Sequence, residues 1–433
     1  MVISKMTEGA FNLKKLLKTV AFAAALTTIV TGCNKASGGN EANSDKTVVN
    51  LYSTVTNEAD KITLQNVVKK FETENPDIDI KENYPADGYE GMLRVKMAAN
   101  DMPDLFDTHG WAIHRYGEYV EDLKDMDWVK DLDPALEQIL KDESGKVYAY
   151  PLNQAKDGLT YNATLLEEYG IEPPTTFDEF MTALETIKKK GKDEVTPLWF
   201  AGSDKSAFGQ YFDQFSTPLL ITGEQNFQKE LLDGTFDWSN YTFLAEKLKE
   251  MHEKKLLNED ILTAQNHQMV DLMAQNKIGF IVGGGMLGPS VEELNPEVKL
   301  GVIPMPVIEE GDEPSWIGGE RHTLAVWKDS KVKEEAKKFL DFISQPEMVK
   351  EIAEGTSLPS GLTNTESKNY YSEYYEKYAD VKVEPYFDRV YLPSGMWDPM
   401  GATGQELLSG TMTPEEVSKK MEVEYKRLLE QKK

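Results

Sequence analysis

Four groups of residues in this chain have types and spacing that could support chemistry. The first is Gly283-x-Gly285-x-x-Gly288, which follows an apolar run and formally fits the dinucleotide-binding fingerprint. Pro289 follows directly and no opening strand–helix–strand unit surrounds it, so a tight turn beside a pocket is the better reading. The second is the pool of 74 Asp and Glu residues. A glycosidase would need one pair of them held about 5 or about 6.5–9.5 Å apart, and no hydrolase signature accompanies them. The third is the histidines. His109 and His114 are five apart, not the i, i+4 of a helical zinc pair. Asp125-x-Asp127 and Asp131-x-Asp133 lack the glycine of a calcium loop. Neither a metal nor a cofactor is expected. The fourth is Cys33, the single thiol, which rules out an internal disulfide.

Cys33 is positioned by what precedes it. Lys14, Lys15 and Lys18 lead into the apolar run Val20 to Val30, then Thr31-Gly32. That order is the order of a secretory signal peptide. The run is shorter than the roughly 20 apolar residues that span a bilayer. Val30-Thr31-Gly32-Cys33 resembles the bacterial lipoprotein lipobox, which implies loss of 1–32 and a lipid-bearing Cys33. Stable anchoring takes two acyl chains, and a diacylated cysteine supplies them. The expected location is the outer face of a Gram-positive cell membrane. The remainder of 33–46 has no large apolar residue and reads as a flexible tether. A net charge of −27 argues against nucleic acid as a partner, because phosphate binding needs clustered cations.

Beyond the tether the chain alternates. Thr47 to Tyr52 reads as a strand, and a helix with Ile62, Val67, Val68 and Phe71 on one face follows. Asn75-Pro76-Asp77 stops it, and Ile78 to Ile80 is the next strand. A helix over Met92 to Ala99, a break at Met102-Pro103-Asp104 and a strand at Leu105-Phe106 continue the grammar of an α/β sheet. Further strands are expected at Lys146–Pro151, Gly158–Asn162, Thr196–Phe200, Ile278–Val282, Lys299–Ile303 and Thr323–Trp327. Thr176-Phe177-Asp178-Glu179 and Thr413-Pro414-Glu415-Glu416 are capping boxes that open helices. Helices are also expected over Tyr241 to Lys255 and along Val332, Ala336, Phe339, Leu340 and Ile343. No internal repeat is visible.

Several of these segments carry a resemblance. They are Phe71-Glu72-x-x-Asn75-Pro76-Asp77-Ile78, Met102 to Phe106, Tyr148-Ala149-Tyr150-Pro151 followed by Tyr161-Asn162, and Glu172 to Phe180. Ile278-Gly279-Phe280, Gly318-Gly319 with Ala325-Val326, and Ala336 to Ile343 complete the series. In that order they resemble the extracellular solute-binding proteins of the maltose-binding type, receptors of sugar ABC importers. The resemblance implies an α/β, two-lobed, type II periplasmic-binding-protein-like fold, with a ligand cleft between lobes joined by crossover hinge strands. The N-lobe would be 47–154 and 308–355, and the C-lobe 155–307 and 356–433. Implied partners are an oligosaccharide, a cognate ABC permease and, through Cys33, the membrane. The protein would be a monomer that catalyses nothing. An exported glycoside-active enzyme, or a receptor for a polyamine, peptide or phosphate ester, is the alternative.

A sugar offers hydroxyls at its rim and C–H groups on its faces, so its site needs aromatic faces and polar edges. The resemblance directs attention to Trp111, Asp107 and His109 after Leu105-Phe106, to Tyr211-Phe212, to Trp316 in an inter-lobe loop, and to Trp397 with Asp398. Thr54, Asn57, Gln154, Asp157, Glu320 and Arg321 are the other polar candidates. Two departures stand out. Ala155 occupies the place of an acid, with Gln154 and Asp157 as neighbours, and Gly283-Gly284-Gly285 replaces a stacking tryptophan. Maltose is therefore not the expected sugar, and Gly284 could admit the ligand close to the backbone. Anionic cargo calls for several cleft arginines; the candidates are Arg94, Arg115, Arg321 and Arg389, and the aromatics outnumber them. A neutral saccharide follows.

Overall fold

The computed structural model describes residues 46–55, 58–85, 89–108, 110–223, 226–283 and 287–431. Among the described residues ten strands form two sheets. β1 (Thr47–Tyr52), β2 (Ile78–Asn83), β3 (Leu105–Phe106), β4 (Tyr150–Asp157), β9 (Trp316–Val326) and β10 (Val383–Pro385) make the first, in the order β10-β9-β3-β1-β2 with β4 also on β9. β5 (Leu159–Asn162), β6 (Thr196–Leu198), β7 (Ile278–Val282) and β8 (Leu300–Ile303) make the second, in the order β6-β7-β5-β8.

Each sheet covers its own apolar core. Val49, Leu51, Phe71, Leu105, Phe339 and Phe342 lie in the core of the first, where Phe71 meets Phe339 edge-to-face at 5.1 Å. Phe177, Phe180, Tyr211, Phe212, Phe215 and Tyr241 lie in that of the second, with Phe212 stacked on Tyr241 at 5.5 Å. Both capping boxes form: the Glu179 N–H donates to Thr176 Oγ1 at 3.1 Å, and the Glu416 N–H to Thr413 Oγ1 at 3.3 Å.

Two of the expected strands depart furthest from their expected extents, and both differences concern the connection between the cores. β4 begins at Tyr150 and runs on to Asp157, and β9 begins at Trp316. They pair antiparallel from Tyr150↔Leu324 to Asp157↔Ile317. One end of this ribbon, with Tyr150 and Leu324, lies in the first core; the other, with Ala155 and Ile317, lies in the second. Trp316 is therefore on a strand and not in a loop. The paired glycines permit this. A Cβ on Gly318 would stand 1.9 Å from the Ala155 carbonyl oxygen, and Gly319 has φ of +133°.

Candidate functional site

The ends of β1 and β3 deliver Thr54 and Asp107 to one point. Asp107 is fully buried. Its Oδ1 accepts the Thr323 N–H and hydroxyl at 3.1 Å each, while Thr54 Oγ1 donates to Oδ2 and His322 Nδ1 lies 3.2 Å from it. Asp107 thus ties β3 to β9. The turn after it places Trp111 with its N–H on the Thr108 carbonyl at 3.0 Å. The Arg115 guanidinium lies 3.9 Å from the Trp111 ring centroid, and that of Arg389 lies 5.6 Å from it. Arg115 also pairs with Glu90 and donates to Ser394 Oγ at 2.5 Å.

Asp157, at the end of β4, is the centre of a second cluster. Three donors converge on its Oδ2: Tyr386 Oη at 2.7 Å, Gln214 Nε2 at 3.3 Å and Gln210 Nε2 at 3.5 Å. The face of Tyr386 carries the Arg389 guanidinium at 4.1 Å. Arg389 Nη1 donates to the Glu320 carbonyl at 3.3 Å. Among the described residues, Arg321 Nε and Glu320 Oε1 have no hydrogen-bond partner. Burial pushes the Glu320 carboxyl up to about 7 against the opposing pull of Arg389. Beneath this layer the Asp388 N–H donates to Asp213 Oδ1 at 2.7 Å. Burial raises Asp213 to about 7, with Asp388 adding to the effect, and raises Asp388 to about 6 despite Arg389 and Arg115.

Two cavities adjoin these clusters. One, of about 420 Å³, is lined by Trp111, His114, Arg115 and Arg389 together with Leu231, Leu232, Leu428 and Leu429. The other, of about 350 Å³, is lined by Asp157, Trp199, Gln210, Asn266, Gly283 and Arg321, among others. Tyr386 touches one lining residue of each, with its hydroxyl on Asp157 and its ring against Arg389.

Of the residues named from the sequence, Trp111, Asp157 and Arg321 line these cavities. Thr54, Asp107 and Glu320 lie in the hydrogen-bonded layer beside them. Gln154 is buried and donates to Asp133 Oδ2 at 2.9 Å and to the Ser360 carbonyl at 2.7 Å. Tyr211, Phe212 and Trp316 are fully buried in core clusters. Trp397 is half-buried, 3.2 Å from where a Cβ on Gly209 would stand. Asp398 is exposed and pairs with Lys205. Asn57, His109, Gly284 and Cys33 lie outside the described residues.

Sequence reasoning missed Trp199, Gln210, Gln214, Asn266 and Tyr386, and weighed Arg115 and Arg389 only as grips for an anion. One signal pointed to Trp199: it follows the carboxyl end of β6, where open α/β sheets hold ligands. Gln210 and Gln214 carry the i, i+4 spacing of a common helix face.

Residues 56–350 match the family model for bacterial extracellular solute-binding proteins. The chain belongs to that family. It is a binding protein and not an enzyme, with the two-lobed type II fold that the sequence resemblance implied. The melibiose/raffinose/stachyose-binding protein MelE of Bacillus subtilis is 53% identical over 413 residues, covering 95% of this binding protein and 96% of MelE. A sugar transporter from Bacillus licheniformis, solved in complex with stachyose, is 63% identical with a TM-score of 0.83, covering 88% of this chain and 100% of that one. A Bacillus subtilis binding protein solved in an open conformation is 55% identical with a TM-score of 0.86, covering 90% and 100%.

Proposed function

We propose that this protein is the receptor of an ABC importer for galactosyl-terminated oligosaccharides, with melibiose, raffinose and stachyose as its ligands. The observation that carries this is the 53% identity to MelE across 95% of the chain. A 63% identical structure with stachyose bound supports the same class. The cavities add a chemical reason. They combine aromatic rings with amide, carboxylate and guanidinium groups, the mixture that a hydroxyl-rimmed, C–H-faced ligand requires.

The ligand lies between an N-lobe of 47–154 and 308–355 and a C-lobe of 155–307 and 356–433, with β4 and β9 as crossover strands. Trp111, Asp157 and Arg321 touch it, joined by Trp199, Gln210 and Asn266. Binding favours lobe closure by a hinge, and the permease reads the closed form. The monomer is held to the outer face of the cell membrane by acyl chains on Cys33.

Isothermal titration of residues 34–433 with melibiose, raffinose, stachyose, maltose, a uronate, a dipeptide and a polyamine tests the cargo. Saturable binding of the three galactosides, and of none of the controls, is expected. Failure of all three, with a response to any control, overturns the cargo class. Labelling of cells with a tagged fatty acid tests the anchor: the full chain takes the label, and Cys33→Ser does not.

A further inference from the structure

We infer that the cavity walled by Asp157, Gln210 and Arg321 is the subsite that reads the terminal galactosyl ring, and that the cavity beside Trp111 takes the rings that follow. This rests on the galactoside reading above and assigns its two ends.

The sugars themselves pose the problem. Melibiose is galactose α-1,6-linked to glucose. Raffinose adds a fructose to that glucose, and stachyose adds a second α-1,6 galactose. All three end in an α-1,6-galactosyl ring, and they differ in what lies beyond it. A receptor for all three therefore needs one subsite that reads hydroxyls strictly and a run that tolerates extra rings.

The two cavities differ in this respect. The first sets a fixed group of polar side chains beside apolar ones such as Trp199, Phe200 and Met269. Asp157 is only 7% exposed and lines the cavity. Its orientation is fixed by Tyr386, Gln214 and Gln210, all on Oδ2. A carboxylate offers about four acceptor sites, so capacity remains for ligand hydroxyls. Arg321 adds Nε, a donor without a hydrogen-bond partner among the described residues. A buried donor in that condition is costly unless a ligand satisfies it. Gln210, half-buried on the same wall, contributes an amide. Hydroxyls both donate and accept, and this wall supplies both counterparts.

The second cavity is larger, and five leucines share its wall with Trp111 and with Arg115 and Arg389, whose guanidinium groups are already engaged by Glu90 and Ser394 and by the Glu320 carbonyl. Such a wall contacts ring faces without reading each hydroxyl. Tyr386 touches Asp157 of the first cavity and Arg389 of the second, so a chain of rings that fills both would run past it from the hydroxyl-reading group to the leucines and Trp111.

The test titrates wild type, Asp157→Asn and Gln210→Ala with melibiose, raffinose, stachyose and sucrose. Sucrose is raffinose without its galactose. Wild type is expected to bind the first three and to ignore sucrose. Asp157→Asn should lose affinity about 30-fold for each of the three, by the same factor within about twofold, as expected for a lost charge-assisted hydrogen bond. Gln210→Ala should lose about fivefold, equally uniformly. Should Asp157→Asn fail to fold, as judged by circular dichroism, the Gln210→Ala pattern decides alone. Losses that differ between the three sugars, unchanged melibiose binding, or sucrose bound as tightly as raffinose would each overturn the assignment while leaving the cargo class intact. Wild type that binds none of the three would bring down the cargo class, and the assignment with it.

Discussion

Asp213 has no exposed surface, and its Oδ1 is held by the Asp388 N–H at 2.7 Å. Burial keeps the neutral form favoured, so the folded-state value of about 7 lies above the ordinary carboxylate range of about 3.9. Between those limits the native protein holds a proton that the unfolded chain has released. Its contribution to stability is full below about pH 4 and is lost as pH rises through about 7. Glu320, raised to about 7, and Asp388, raised to about 6, act in the same direction. Asp213→Asn removes one ionisation. Its melting temperature should fall less than that of wild type between about pH 4.5 and about pH 7.5. An unchanged difference would show that Asp213 does not titrate in this window. Trp111 permits a second prediction at this scale. Its ring is flanked by Arg115 and lines the larger cavity. Trp111→Ala should weaken raffinose binding about tenfold, the loss expected for one aromatic face, with an unchanged melting temperature. Equal affinity in a calorimeter would remove the ring from the ligand's path.

The β4–β9 ribbon is the element that makes the site, because it carries Asp157, Glu320 and Arg321 and enters both cores. Its weak point is Gly318, whose absent Cβ leaves room for the Ala155 carbonyl. Gly318→Ala should destabilise the protein by about 2–3 kcal/mol, as overpacking against backbone does. Urea unfolding measures it, and a loss under about 0.5 kcal/mol would mean that the strands separate freely. This ribbon also shows where sequence reasoning ends. Thr47 to Tyr52, Ile78 and Leu105-Phe106 were legible because β-branched and apolar residues repeat between clear breakers. The first half of β9 was not, because Gly318-Gly319 and the charged pair Glu320-Arg321 interrupt the apolar pattern, although Trp316 and Ile317 are fully buried. The helix Ser206–Leu220 was hidden differently. It is buried almost all round and contains Pro218, so no single apolar stripe marks it. At the site, Trp111 could be found from its turn. Tyr386 could not, since its partner Asp157 lies 229 positions away and only the fold brings them together.

At the scale of the whole molecule, ligand and stability are linked. A ligand that binds only the native state stabilises it by about 2.7 kcal/mol at 100 times its Kd. Stachyose at that excess should raise the melting temperature by several degrees, and the rise should grow with the logarithm of concentration. A melting temperature indifferent to all three galactosides would contradict binding to the folded state. The family is extracellular, so the chain leaves the cell before it acts. β3 sits between β1 and β9, yet β9 ends at Val326. A chain still emerging from the ribosome at residue 300 can pair β1 with β2 and β3 but has nothing to close the far edge of β3 or to cover β4. The first sheet thus waits on a strand made more than 200 residues after its neighbour, and long-range pairings of that kind form slowly. The same wiring would keep the nascent polypeptide loose enough to thread an export channel.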